Sequence, residues 1–162
     1  MQLSARSATQ EDASELLELY RQTIRTVNCH DYNEMQIRAW ARDELETTAF
    51  ETYIARCKPF VVTNQTQILG YSDLQDDGLI DHFYCHHQAQ RQGVGSALMQ
   101  TIMNKAHEAD IRRLYSYVSI TAKPFFLHFG FSVLRPNQAD IRGVVLDNYL
   151  MEKELKDECF DV

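Results

Sequence analysis

Residues 90 to 95 run Gln90-Arg91-Gln92-Gly93-Val94-Gly95, and Ser96 follows at the head of an amphipathic segment. Two glycines this close let the backbone turn tightly and approach a ligand with no side chain in the way. Behind them Val94, Ala97, Leu98, Ile102, Ala106 and Ala109 recur at helical spacing, with Gln100, Asn104, Lys105 and Glu108 on the other face. A helix that starts on such a turn offers unpaired N–H groups and the positive end of its dipole, a nest suited to phosphate or pyrophosphate. The segment before it, Leu79 to Cys85, has the composition of a strand. Strand, short loop, anion-binding turn and helix in that order commit the chain to an α/β architecture. Two familiar nucleotide loops are excluded: position 98 is Leu98 where a dinucleotide turn needs a third glycine, and no lysine follows Gly95 as a Walker loop requires.

The rest of the chain supplies the other layers. A short strand is expected at 2–7. Thr9 then caps a helix running to about residue 27 through Ala13, Leu16, Leu17, Tyr20 and Ile24. Asn33 and Gln36 form a capping-box signature before a short helix with Ile37 and Trp40, and a third helix is expected over about 45–56. Strands are predicted at 60–63, 68–74 and 79–85, then a helix at 94–109, a strand at 112–118, a helix at 122–129, and two closing strands, the last from Val144 to Lys153. Three antiparallel strands feeding a strand–helix–strand unit make an α/β sandwich on a mixed, mostly antiparallel sheet rather than a doubly wound one. No linker composition divides the chain, so residues 1–162 are read as a single domain.

The glycine turn resembles the pyrophosphate loop of the GNAT acetyltransferase superfamily, (Gln/Arg)-x-x-Gly-x-(Gly/Ala). A second segment, Ala122-Lys123-Pro124-Phe125-Phe126-Leu127-His128-Phe129-Gly130-Phe131, resembles that family's Ala-x-x-Phe-Tyr-x-x-x-Gly-Phe. Ser119 to Phe126, Tyr32 with Gln36 to Ala41, and Arg142-Gly143 with Asn148 to Met151 are similar to the bacterial YafP-like N-acetyltransferases. The resemblance implies a GNAT-like sheet whose parallel strands splay apart to hold coenzyme A, and N-acetylation from acetyl-CoA without a metal. It implies that Gln92, Gly93, Val94, Gly95 and Ser96 hold the pyrophosphate with Arg91 adding charge. Phe83, Tyr84 and Cys85 would offer backbone partners to the pantetheine arm, with Ser119, Phe125 and Phe126 on the opposite wall.

Acyl transfer to an amine needs a group that takes the ammonium proton, a donor for the oxyanion, and a route for the sulfur charge. Strand alternation puts Leu79, Asp81, Phe83 and Cys85 on one face and His82 on the other. Asp81 is the expected base, because an acid among apolar strand residues is costly unless paired, hydrated or functional; its alternatives are pairing with an arginine or capping a loop. His86 and His87 are expected in solvent. The family's usual tyrosine is replaced by Phe126, which cannot donate a proton. Tyr84, Ser119 and Tyr149 remain as donors, Tyr84 being the expected second catalytic group, although an unprotonated thiolate can also leave. Tyr32, Trp40, Arg142 and Asn148 are expected to line the acceptor pocket, with core packing the competing role for Trp40 and a surface ion pair that for Arg142.

Composition narrows the partners. A net charge of −7 argues against a general nucleic-acid surface, and no apolar run is long enough to cross a membrane. The four cysteines, Cys29, Cys57, Cys85 and Cys159, are widely spaced, which suits reduced thiols in the cytoplasm. The expected acceptor is a small-molecule amine, handled by a monomer or homodimer. A peptide N-acetyltransferase and a non-catalytic CoA-binding module are the alternatives.

Overall fold

The computed structural model describes residues 2–156, so Cys159 lies outside the described residues. Strand β1 (Ser4–Ser7) leads to helices α1 (Ala13–Thr26), α2 (Glu34–Trp40) and α3 (Thr47–Cys57). Strands β2 (Phe60–Thr63), β3 (Ile68–Ser72) and β4 (Phe83–Cys85) follow, then α4 (Val94–Glu108), β5 (Arg113–Ser119), α5 (Lys123–His128), β6 (Ser132–Ile141) and β7 (Val144–Glu154). The capping signatures act as expected. Thr9 and Asp12 form a capping box ahead of α1, and Asn33 and Gln36 form one at α2. Such caps contribute about 1 kcal/mol each by satisfying otherwise orphaned N–H groups.

The strands form two antiparallel sheets, β1-β2-β3-β4 and β5-β7-β6. Their only parallel link among the described residues is one bridge, Leu79 to Tyr115. Ile80 N–H donates to Tyr115 C=O at 2.9 Å, Tyr115 N–H to Gly78 C=O at 3.0 Å, and the Ser116 hydroxyl to Ile80 C=O at 2.7 Å. Beyond that joint the two sheets part. Helix α4 spans them, burying Leu98, Met99, Ile102 and Ala106 against Val62 and Leu69 of one sheet and Leu114, Val118 and Met151 of the other. Each large side chain buried there contributes about 1.5–3 kcal/mol, enough to hold two sheets that share almost no hydrogen bonds. On the opposite face of the first sheet, α1 and α3 bury Leu16, Phe50, Tyr53 and Ile54 against Val61 and Tyr71. Both faces being covered explains why β2 and β3 are apolar at nearly every position rather than alternating.

The predicted strand at 79–85 is shorter than expected. Only Phe83–Cys85 pair with β3, and the chain at 81–82 is drawn off by a side chain. The buried Asp73 carboxylate accepts from Asp81 N–H at 2.9 Å and His82 N–H at 3.1 Å, and also from the Tyr53 hydroxyl and the Gln75 amide. A side chain thus takes the place of a neighbouring strand just before the cleft begins.

Candidate active site

Where the sheets part, a cleft of about 730 Å³ opens between β4 and β5. At one end stands the glycine turn. Gly93 has φ +84°, a left-handed conformation that a side chain would strain, and no side chain caps α4. The first intrahelical bond runs from Ala97 N–H to Gly93 C=O, so the N–H groups of Val94, Gly95 and Ser96 stand at the open helix end. Gly95 is constrained for another reason: an added Cβ would lie 2.8 Å from the Phe125 ring. Arg91, exposed and also left-handed at φ +59°, borders the same end.

Strand β4 is the edge of its sheet, and its register shows which groups face the gap. His86 N–H donates to Leu69 C=O and Asp73 N–H to His82 C=O, so Tyr84 between them points its amide at β3. The amides of Phe83 and Cys85 therefore turn toward the cleft. The Cys85 carbonyl is taken by the Thr23 hydroxyl and the Gln90 amide, both at 2.9 Å. On the far wall Ser119 lines the cleft while accepting from Ala122 N–H at 3.1 Å, which caps the turn into α5. Phe125 and Phe126 also line it. Phe126 is buried and packs edge-on against Phe83, Phe125 and Phe131 at 4.9–5.8 Å, so the residue in the tyrosine position is a core ring.

Asp81 and Tyr84 reach the same cleft. The Asp81 side chain is 49% exposed, and its Oδ2 lies 3.9 Å from His82 Nε2. His82, on the other face as alternation expects, is packed and does not line the cleft. It stacks on Tyr53 at 4.2 Å between ring centres, its Nδ1 is 2.9 Å from the Tyr71 hydroxyl, and burial holds its pKa below the usual 6.5. It is therefore neutral near pH 7, and its contact with Asp81 is not an ion pair. Tyr84 sits among Tyr20, Tyr71, Trp40 and His82. Burial raises its hydroxyl well above the ordinary 10, with an opposing hydrogen-bond contribution from Trp40, so it stays a protonated phenol. His86 and His87 are half-buried and stacked at 4.5 Å, rather than free in solvent, and His86 Nδ1 accepts from Gln88 N–H.

The expected acceptor residues divide. Trp40 lines the cleft. Tyr32, Arg142 and Asn148 do not. The buried Tyr32 hydroxyl donates to Asp147 C=O at 2.7 Å and accepts from Ile120 N–H at 3.0 Å, tying β7 to the end of β5, while its ring supports Trp40 at 5.4 Å. Arg142 occupies the exposed β6–β7 hairpin tip with φ +54°, followed by Gly143 at φ +84°, so turn geometry holds it away from the cleft. Asn148 accepts from Asn137 across the β6–β7 pair at 2.8 Å. The Tyr149 ring lies under the Lys123 ammonium at 4.2 Å, outside the cleft lining. Sequence reasoning did not single out Thr23 and Asn28 in the cleft lining, or Asp73, whose carboxylate holds the Asp81 and His82 amides. Asn28 falls in a polar break between helices, and nothing in its spacing marks it.

Residues 28–153 match the family model described as an acetyltransferase (GNAT) domain. The chain belongs to the GNAT acetyltransferase family. It is an acyltransferase whose co-substrate is acetyl-CoA, and the open α4 end with the free β4 edge fits that molecule's pyrophosphate and amide-bearing arm. The chain is 25% identical over 140 residues to the Escherichia coli K12 protein YafP, described as an uncharacterized N-acetyltransferase, with 86% of this chain and 88% of that one covered. A crystal structure of a GCN5-related N-acetyltransferase from Rhodopseudomonas palustris superposes with a TM-score of 0.90 at 25% identity, covering 96% of this chain and 97% of that one. The PaiA N-acetyltransferase of Thermoplasma acidophilum, solved in complex with coenzyme A, shares the fold at a TM-score of 0.75 and 17% identity, with 95% and 99% covered. No helix among the described residues is long and apolar enough to cross a membrane.

Proposed function

We propose that this GNAT domain, taken as residues 1–162, moves the acetyl group of acetyl-CoA directly to a primary amine of a small molecule while both are bound. The observation that carries this reading is the placement of Asp81. It stands two residues from the Leu79–Tyr115 joint where the two sheets meet, and the pyrophosphate nest lies at the other end of β4. A coenzyme arm laid along the β4 edge from the nest brings its thioester to the Asp81 end.

In this reading Asp81, directly or through a water, takes a proton from the acceptor ammonium. The neutral nitrogen attacks the thioester carbonyl, the C–N bond forms, the oxyanion collapses, the C–S bond breaks with the electron pair on sulfur, and the second proton on nitrogen passes to water to leave the neutral amide. Tyr84 serves as a hydrogen-bond donor to the developing oxyanion rather than as an acid. A phenol held well above its normal pKa gives up its proton less readily than a thiol does. Sulfur then leaves as a thiolate or takes a proton from water, which removes any need for a tyrosine at Phe126. The acceptor wall consists of Asn28, Trp40, Asp81 and Tyr84. We place the protein in the cytoplasm as a monomer or homodimer acting on neither nucleic acid nor membrane, consistent with its net charge of −7 and with free Cys29, Cys57 and Cys85.

The test is release of free CoA across amines, amino acids, polyamines, aminoglycosides and peptides, followed by Asp81→Asn with the best acceptor. Loss of the base should lower kcat/KM by about 10²–10⁴-fold with acetyl-CoA affinity retained. Tight acetyl-CoA binding with no turnover on any acceptor would instead make the chain a CoA-binding module. Undiminished turnover in Asp81→Asn would remove Asp81 from the chemistry.

A further inference from the structure

The acceptor half of the cleft has an unusual charge inventory. Among the described residues that line the cleft, the only charged side chains are Asp81 and Arg91. They lie at opposite ends of β4. At about 3.3 Å per residue, the four steps from Asp81 to Cys85 alone separate them by about 13 Å. Arg91 borders the pyrophosphate nest, so the amine end holds one carboxylate and no cation. The nearby arginines do not alter this. Arg25 is bound to Asp43 Oδ1 at 2.6 Å and to Ala41 C=O at 2.8 Å. Arg21 donates to Leu45 C=O at 2.7 Å. Arg42 acts electrostatically on Tyr20, and Arg56 on His82 and on Asp81, but neither lines the cleft.

The wall beside Asp81 is aromatic. Trp40 and Tyr84 line it with ring centres 6.5 Å apart, and Tyr20 and Tyr32 hold them from behind at 5.0 and 5.4 Å. Asn28 adds a neutral amide to the wall. Aromatic faces attract an ammonium and stack on a flat apolar body. One carboxylate can neutralise one ammonium. An α-carboxylate on the acceptor would meet Asp81 with no cleft-lining cation at that end to pair with it and offset the repulsion or the lost hydration. A second ammonium would find no second acid.

We infer that the acceptor is a monocationic arylalkylamine: a primary amine on an aromatic or flat apolar body, with no acid group beside the nitrogen and no second charge. This deepens the N-acetyltransferase reading and rests on it for the identity of the site, yet it can be tested by binding alone. The experiment is calorimetry on the full chain saturated with free CoA, a dead-end complex that cannot turn over. Three probes are titrated: 2-phenylethylamine, L-phenylalanine and spermidine. 2-Phenylethylamine should bind at least about 30-fold more tightly than L-phenylalanine, since an uncompensated charge in such a site costs one to two orders of magnitude in affinity. Spermidine should bind no better than 2-phenylethylamine. Asn28→Lys puts a cation on the acceptor wall and should narrow or invert the preference. Because Asn28 is buried, Trp40→Leu is the parallel variant. It should weaken 2-phenylethylamine about tenfold with CoA affinity unchanged, in the range of a lost cation–π and stacking contact. Equal or tighter binding of L-phenylalanine, tighter binding of spermidine, or no binding of 2-phenylethylamine would each overturn the inference. Turnover with acetyl-CoA separates the two claims. Selective binding without acetylation would sink the transfer reading and leave the binding class intact, whereas efficient acetylation of amino acids would do the reverse.

Discussion

Gly95→Ala sets two opposing effects against each other at one atom. The new methyl carbon would lie 2.8 Å from Phe125 Cε2 and 3.1 Å from Cζ, against a comfortable carbon–carbon separation of about 3.5–4.0 Å. Relieving that overlap costs about 1–3 kcal/mol in a packed site. Replacing glycine by alanine within a helix returns about 0.8–1 kcal/mol of propensity, and Gly95 is the second residue of α4. The net expectation is a loss of about 0–2 kcal/mol. Phe125→Leu removes the two offending atoms and keeps carbon out to the δ position, where the contact is an ordinary 3.6 Å. In that background Gly95→Ala should become neutral or stabilising, giving a coupling of at least about 1 kcal/mol between neighbours. Urea unfolding of the four proteins measures this. A CoA titration adds a second readout, because Phe125 lines the cleft and a displaced ring should lower affinity about tenfold, or about 1.4 kcal/mol. Gly93→Ala is the control. Its Cβ would meet nothing within 4 Å, so its cost of about 1–2 kcal/mol comes from φ alone and should be the same with Phe125 or Leu. If Gly95→Ala is equally destabilising in both backgrounds, the ring does not set the requirement for glycine and the packing argument fails.

Other expectations follow from the same geometry. Phe126→Tyr should not be needed for turnover, and Phe126→Ala should cost about 3–5 kcal/mol in urea unfolding as a buried ring is lost; a wild type that is inert until Phe126→Tyr is made would reverse that assignment. Asp73→Asn turns an N–H donor toward the backbone N–H of Asp81 or His82, so it should destabilise by about 1–3 kcal/mol and lower kcat through misplacement of Asp81, with CoA affinity kept; unchanged kcat would show that the clamp does not position Asp81. His82 is held below 6.5 in the folded protein, so the unfolded chain binds more protons as pH falls. Its stabilising contribution is complete above about 6.5 and lost as pH drops from there through the folded value, and His82→Gln should flatten that limb in urea unfolding measured from pH 7.5 to 5.

Much of the fold, with the glycine turn at the head of α4, was legible in the sequence because it is written in local terms. The Gly93 turn, the start of α4, the capping boxes at Thr9 and Asn33, and the strand–helix alternation all depend on residues within a few positions of one another, where spacing translates directly into conformation. The Asp81 end of the cleft depends on contacts between distant residues. Asp73 acts on backbone eight and nine positions away, and that interaction cuts the 79–85 strand short and carries His82 into an aromatic cluster built from α1, α3 and β3. Tyr32 looked like an acceptor residue and instead ties residues 88 and 115 positions away. Phe125 crowds Gly95 across 30 residues of chain, a constraint visible only once α5 is packed against α4. A period of 3.6 or 2 residues describes which face a side chain occupies. It does not describe which partner waits there, because that is decided by the packing of whole elements against one another, and a side chain that reaches a backbone N–H in another element can override the period itself.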